Sequence, residues 1–285
     1  MRVRIGHTPD ADDAFMFYAI VEGKVTIEGV EVEHVVEDIE RLNRMALRNE
    51  LDVTAISAHA YAYTKGYAIL RSGASFGLSY GPILVARHAI NSIDELAYMR
   101  IAVPGKLTTA YLLLEMALRD YLQKDMDVAT TTATEIVEIR FDEIEDAVLS
   151  GRVDAGLLIH EAQIAYRQGL HKLLDLGEWW GRVSNGLPLP LGIDVATLSL
   201  GETAPKVSIL LKESIAYAYE HFDDAVDYAM RYSRGKDRGT IARFVRMYVN
   251  DLAMDMGEVG YNALRRLYSL ASSRGIINEP KIILV

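Results

Sequence analysis

A short run of apolar residues, Val153-Asp-Ala-Gly-Leu-Leu-Ile159, ends on His160-Glu161. Histidine titrates near neutrality and can take or give a proton, so at the tip of a strand it is a candidate general base. It could equally be a structural histidine satisfied by backbone, and Glu161 could orient a ligand or simply suit the start of a helix. Thr108 and Thr109 follow a Pro104-Gly-Lys loop. Two hydroxyls together with free N–H groups at a helix start suit a carboxylate or a phosphate, although one threonine can serve only as the cap. Ser57 ends a second apolar run and has the same two readings. The cluster Asp10-Ala-Asp12-Asp13 offers three carboxylates in four residues. No calcium-loop spacing follows it, and Asp at a helix start is favourable in itself, which makes a metal site the weaker reading. His7 and His59 lie near such tips and rank second. None of the seven histidines shows His-x-x-x-His or His-Glu-x-x-His spacing.

Other chemistries lack their residues. The chain has no cysteine, which removes disulfides, thiolate catalysis and thiolate metal ligands. Neither a Walker loop, nor Gly-x-Gly-x-x-Gly, nor a Gly-x-Ser-x-Gly elbow is present, so nucleotide cofactors and serine hydrolysis find no support.

The elements that must position these residues follow from hydrophobic periodicity. Short strands are predicted at residues 3–5, 30–36, 52–56, 100–103, 133–140 and 153–159, and amphipathic helices at 11–20, 39–48, 110–120 and 142–150. Two stretches share one device. A helix ends, the chain turns at Asn49-Glu-Leu-Asp-Val53 or Gly151-Arg-Val-Asp-Ala155, and an apolar strand follows with a polar tip. This predicts two related α/β lobes, each with a mostly parallel sheet. Ligands of open α/β sheets sit beyond the C-terminal ends of the strands. That rule brings residues 8–13, 57–59, 104–109 and 160–161 to one cleft between the lobes. From about residue 204 to 274 the pattern is helical throughout, which predicts a tail packing back on a lobe. The expected segments are 1–86 for the first part of lobe 1, 87–195 for lobe 2 and 196–285 for a helical return onto lobe 1.

At 285 residues, two lobes are more natural than one compact core. With 40 Asp and Glu against 30 Lys and Arg, the formal charge is −10. Nucleic acid and anionic membranes are therefore poor partners, while a small anionic ligand held by local donors is allowed. The N-terminus lacks an apolar signal core, and no apolar run approaches the ~18 residues of a membrane span, so a cytoplasmic location is expected.

Several stretches together carry a family likeness. They are Thr8-Pro-Asp-Ala-Asp-Asp-Ala-Phe-Met-Phe-Tyr-Ala, Asp52-Val-Thr-Ala-Ile-Ser-Ala-His-Ala-Tyr-Ala-Tyr, Gly81-Pro-Ile-Leu-Val-Ala-Arg87, Leu107-Thr-Thr-Ala-Tyr111, Asp154-Ala-Gly-Leu-Leu-Ile-His-Glu161, and Trp179-Trp-Gly followed by Gly186-Leu-Pro-Leu-Pro-Leu-Gly192. In this order, over roughly residues 5–195, the chain resembles the 1,4-dihydroxy-6-naphthoate synthase family of the futalosine route to menaquinone. The resemblance implies a two-lobed periplasmic-binding-protein-like type II fold and no metal or organic cofactor. It implies His160 as catalytic base, with Thr108, Thr109, Ser57, Ala55 and Ile56 on the carboxylate end of the substrate, cyclic dehypoxanthine futalosine. One departure stands out. The family's opening usually reads Ser-Pro-Cys-Pro-Asn-Asp-Thr-Phe, so this chain carries extra acidic residues beside a cleft meant for a carboxylate. Two other readings share the fold: a chorismate-dehydrating sister enzyme, and a small-carboxylate binding protein without chemistry.

Overall fold

The computed structural model describes residues 1–122 and 134–285. In chain order the elements are β1 (Arg2–His7), α1 (Ala11–Val21), β2 (Glu31–Val36), α2 (Ile39–Leu47), β3 (Val53–Ser57), α3 (Ala58–Tyr61), β4 (Tyr67–Ile69), β5 (Ser75–Gly77), β6 (Ile83–Ala86), β7 (Arg100–Val103), α4 (Thr109–Leu122), β8 (Glu135–Glu138), α5 (Ile144–Leu149), β9 (Ala155–Leu158), β10 (His171–Asp175), α6 (Leu176–Ser184), β11 (Leu189–Thr197), α7 (Thr203–Glu220), α8 (Phe222–Ala229), α9 (Arg238–Tyr248), α10 (Asp251–Met254) and α11 (Gly257–Ser273). The strand expected at 133–140 is β8; its first residue lies outside the described residues.

Two sheets form. The first runs β2-β1-β3-β11-β4 with β5 also paired to β11, and the second runs β10-β6-β9-β7-β8. Each has a parallel centre: β1 pairs in parallel with β2 and β3, and β7 with β8 and β9. Each also carries antiparallel partners, β11 in the first sheet and β6 in the second, so both sheets are mixed rather than mostly parallel. The expected segment boundaries shift for the same reason. Residues 83–86 pair in the second sheet, and 189–197 in the first. Short, wholly apolar strands such as Ile83-Leu-Val-Ala86 are buried on both faces, and their pattern does not say which sheet they join.

The repeated turn is physical as well as textual. Asn49 and Gly151 both adopt left-handed backbone, with φ of 53° and 75°. Asn and Gly are the residues that tolerate this conformation at a helix end. Immediately before each strand comes an aspartate with a fixed job. Asp52 Oδ2 accepts from the Arg4 N–H at 2.8 Å, and Asp154 Oδ2 accepts from the Arg100 N–H at 2.8 Å. The same carboxylate thus ties β3 to β1 and β9 to β7.

Helix α1 has no polar face to speak of; all but two of its residues are buried. It is sandwiched between the first sheet and helices α7 and α8, whose apolar residues Val207, Leu210, Leu211, Val226 and Ala229 complete that core. On the far side, α11 bridges the lobes. Its Tyr268 hydroxyl donates to the Ala58 carbonyl at 2.8 Å, and Arg274 pairs with Asp120 of α4 at 2.8 Å. Among the described residues no helix is long and apolar enough to cross a membrane.

Candidate active site

The four strand tips converge as the topology requires. Thr8, Asp10, Asp12 and Asp13 after β1, Ala55 and Ser57 of β3, Thr108 to Ala110 after β7, and Ile159 and His160 after β9 all line one cavity. Gln163, Leu191, Gly192, Phe244 and Tyr248 complete its wall. Counted out to its open mouth, it holds about 690 Å³ of empty space. Ile56 does not belong to it. On a strand, successive side chains point to opposite faces, so Ala55 and Ser57 face the cavity while Ile56 is fully buried in the core beneath.

The start of α4 offers backbone N–H groups more than free hydroxyls. Thr108 is the cap of α4: its Oγ1 accepts from the Tyr111 N–H at 3.2 Å and donates to the Gly105 carbonyl at 2.7 Å. Thr109 Oγ1 donates to the Leu191 carbonyl at 2.7 Å and accepts from the His59 N–H at 3.2 Å. Both hydroxyl protons are committed. The first-turn N–H groups of Thr109 and Ala110, which line the cavity, have no intrahelical acceptor and sit at the positive end of the helix dipole, a setting that suits an anion. Ser57 differs. Its Oγ accepts from Asn43 Nδ2 at 3.1 Å and its N–H donates to Asn43 Oδ1 at 2.8 Å. The serine's own O–H is therefore free to donate into the cavity. Asn43, fully buried on α2, was not singled out in the sequence; a polar residue on the apolar stripe of an amphipathic helix was its signal. No Lys or Arg is among the cavity-lining residues.

His160 follows β9, which pairs in parallel with β7, so it stands on the same lobe as the start of α4. It has φ 56°, unusual for a non-glycine residue. Its Nδ1 is 3.1 Å from Asp10 Oδ2, and its Nε2 is buried without a hydrogen-bond partner among the described residues. Asp10 Oδ1 in turn meets Arg234 at 2.9 Å, and the same guanidinium lies 3.7 Å from Glu161. Phe141 wedges the group, its ring 4.7 Å from the imidazole and 4.4 Å beneath Arg234 Cζ. Burial lowers the His160 pKa below the ordinary histidine value, Asp10 raises it and Arg234 lowers it further. The ring is accordingly neutral at pH 7. Arg234 escaped the sequence reading because it sits in a Ser-Arg-Gly turn inside a helical region, far along the chain from the strand tips.

The acidic wall resolves the awkward charge noted in the sequence. Thr8 donates to Asp13 Oδ2 twice, from N–H and hydroxyl, each at 2.8 Å, yet burial still pushes Asp13 up to about 6. Burial, with Asp13 and Asp10 nearby, lifts Asp12 well above the carboxylate range; Ser75 Oγ sits 3.2 Å from its Oδ2. Burial raises Asp194 in the same direction, and Glu161 to about 7. Burial thus disfavours the charged forms of Asp12 and Asp13, and the wall is less negative than its composition suggests. Among the described residues, no group of three or more His, Asp or Glu side chains is arranged to hold a metal ion. His7 and His59 do not line the cavity. Burial lowers both to about 4; His7 stacks on Phe17 and His59 is held by the Thr108 carbonyl and Tyr63.

Two sheets whose strand tips line one cavity, with a helix start and an unpartnered imidazole both following the paired strands β7 and β9, define a periplasmic-binding-protein-like fold. Solved binding proteins superpose on it at low identity: an ABC-importer ligand-binding component of Staphylococcus aureus (TM-score 0.69, 13% identity, 99% of this chain and 96% of that one) and the alkanesulfonate-binding protein SsuA of Xanthomonas axonopodis (0.67, 15%, 100% and 96%). The chain belongs to the menaquinone biosynthesis family, whose sequence model matches residues 3–273. It is 39% identical over 277 residues to the 1,4-dihydroxy-6-naphthoate synthase of Thermus thermophilus, covering 96% of this chain and 95% of that one, and 34% identical to the Streptomyces coelicolor enzyme of the same name, covering 96% and 94%. The crystal structure of protein AF1704 of Archaeoglobus fulgidus is similar throughout, with TM-score 0.87, 48% identity and coverage of 97% and 98%.

Proposed function

We propose that this chain is a lyase that converts cyclic dehypoxanthine futalosine to 1,4-dihydroxy-6-naphthoate in menaquinone biosynthesis, with His160 as the base. The substrate carboxylate sits on the N–H groups of Thr109 and Ala110 with the Ser57 hydroxyl donating to it. Nε2 of His160 removes a substrate proton, and cleavage then releases the sugar-derived fragment and leaves the dihydroxynaphthoate. The imidazolium so formed can return its proton to the departing fragment, so no net proton is lost by the protein. The observation that carries the reading is the buried, unpartnered Nε2 of a histidine that lines the same cavity as the start of α4. A neutral imidazole costs far less to bury than an imidazolium and is ready as a base, and the fixed carboxylate end holds the reacting carbon near it. A biosynthetic step on a small carboxylated intermediate fits a cytoplasmic location.

The test is turnover of cyclic dehypoxanthine futalosine by the purified protein, followed by chromatography for the naphthoate, with His160→Ala alongside. The wild type should yield product, and the variant should lose turnover by ~10²–10⁴ while binding substrate within about tenfold. No product from the folded wild type would overturn the reading. Chorismate offered instead should remain unchanged.

A further inference from the structure

We propose that Asp10 is the positioning residue of His160: its carboxylate accepts the Nδ1–H, fixes the ring and its tautomer, and leaves Nε2 as the lone-pair nitrogen facing the cavity, while Arg234 holds the carboxylate from its other side. The inference rests on His160 being the base, yet it has a readout that does not depend on any substrate.

The geometry is specific. Asp10 occupies the N-cap position of α1 with extended backbone, where an aspartate ordinarily accepts from the first helical N–H groups; here its side chain makes no such bond. Both of its oxygens are turned instead to His160 Nδ1, at 3.1 Å, and to Arg234, at 2.9 Å. The residue is only 1% exposed. A helix cap has been given up for a bond across the molecule. The three partners come from the β1–α1 turn, the end of β9, and the turn between α8 and α9, so the first lobe and the C-terminal helices together orient a side chain of the second sheet. Phe141 packs edge-on against the ring, its centroid 4.7 Å away, and stacks under Arg234.

The charges facing the ring act in opposite senses. Asp10 and Asp38, the latter capping α2, favour the imidazolium, and Arg234 opposes it. Glu161, next in the chain, is occupied by Arg234 and by the Ala11 N–H at 3.3 Å. With Asp10 accepting at Nδ1, the neutral ring must carry its proton there. This is the arrangement in which a carboxylate holds an imidazole in the tautomer that general-base action at the other nitrogen requires.

Long-range proton–nitrogen NMR of the intact protein, with the His160 signals assigned by their loss in His160→Gln, reads the tautomer and the ring pKa directly. The expected result is the Nδ1–H form in the wild type; the Nε2–H form would overturn the proposal. In Asp10→Asn and Asp10→Ala the ring pKa should fall and the Nε2–H form should appear, whereas in Arg234→Met the ring pKa should rise. A merely structural role predicts no opposed shifts. Turnover in Asp10→Asn should drop at least ~100-fold with KM changed by less than about threefold, and the acid limb of kcat/KM should move to lower pH. A folded Asp10→Asn with unchanged kcat and an unmoved acid limb would also overturn it. If the Asp10 variants do not fold, the wild-type tautomer still decides. If the wild type turns over no naphthoate precursor, the NMR result stands apart from that failure.

Discussion

At the scale of single residues, desolvation governs the buried carboxyls Asp12, Asp13 and Asp194, whereas Asp10 is held by charge pairing. Asp194 is fully buried with both carboxyl oxygens unpartnered among the described residues, which holds it protonated. Asp194→Asn keeps the shape and removes the need for that proton. Its melting temperature should exceed the wild type's by more at pH 8 than at pH 5, and an equal difference at both would mean that Asp194 holds no extra proton. Gly73 lies against the same carboxyl. It has φ +91°, and an added Cβ would fall 2.1 Å from Asp194 Oδ2. Gly73→Ala should therefore destabilise by more than the ~1–2 kcal/mol of the left-handed backbone alone, read by denaturant unfolding. The residues legible beforehand were those at strand tips, His160, Ser57, Thr108 and Thr109, because a local pattern places them. Ile56 was misjudged by one step of strand alternation. Asp10's role, Arg234, Asn43 and Tyr248 were not legible, because each acts through contacts with parts of the chain that sequence spacing does not bring together.

At the scale of elements, two devices can be tested separately. Thr108 caps α4, so Thr108→Ala should cost about 0.5–2 kcal/mol in stability and raise KM by loosening the N–H groups that face the carboxylate. A stable variant with unchanged KM would place the substrate elsewhere. The paired aspartates before β3 and β9 make the same bond in each lobe. Asp52→Ala and Asp154→Ala should each cost roughly 0.5–1.5 kcal/mol, with Asp52 the larger because its bond is the less exposed. The parallel strands and their preceding helices were readable from periodicity and turn chemistry. The antiparallel strands β4, β5, β10 and β11 were not, since they are short or bounded by residues that also suit loops, and their pairing is decided across the sheet.

At the scale of the whole molecule, buried titratable groups set a pH profile of stability. Asp12 and Asp194 are raised in the folded chain, Asp13 to about 6 and Glu161 to about 7, so they keep protons that the unfolded chain has released. Their contribution is full at low pH and is lost as pH rises through the folded values. His7 and His59, lowered to about 4, act the other way, but only below the ordinary histidine value of 6.5. Above that pH the histidines are silent and the carboxyls remain. Thermal stability should therefore fall as pH rises from about 6.5, by about 1.4 kcal/mol per pH unit for each carboxyl still protonated. A flat or rising melting temperature between pH 6.5 and 8 would contradict these protonation states. The two-lobed fold was legible from the repeated turn and from alternating strands and helices, whereas the points of crossing between sheets were not.

The order of strands has a consequence for synthesis on the ribosome. Every strand of the second sheet lies between residues 83 and 175, one continuous stretch. The first sheet needs β11 to slot between β3 and β4, and Leu284 bridges back to Ile69. As the chain emerges, the second lobe can close while the first still waits for its central strand. Nascent chains stalled just after residue 186, with the ribosomal tunnel spanned by a neutral linker, should protect the strands of the second sheet from protease and leave residues 1–77 open to it.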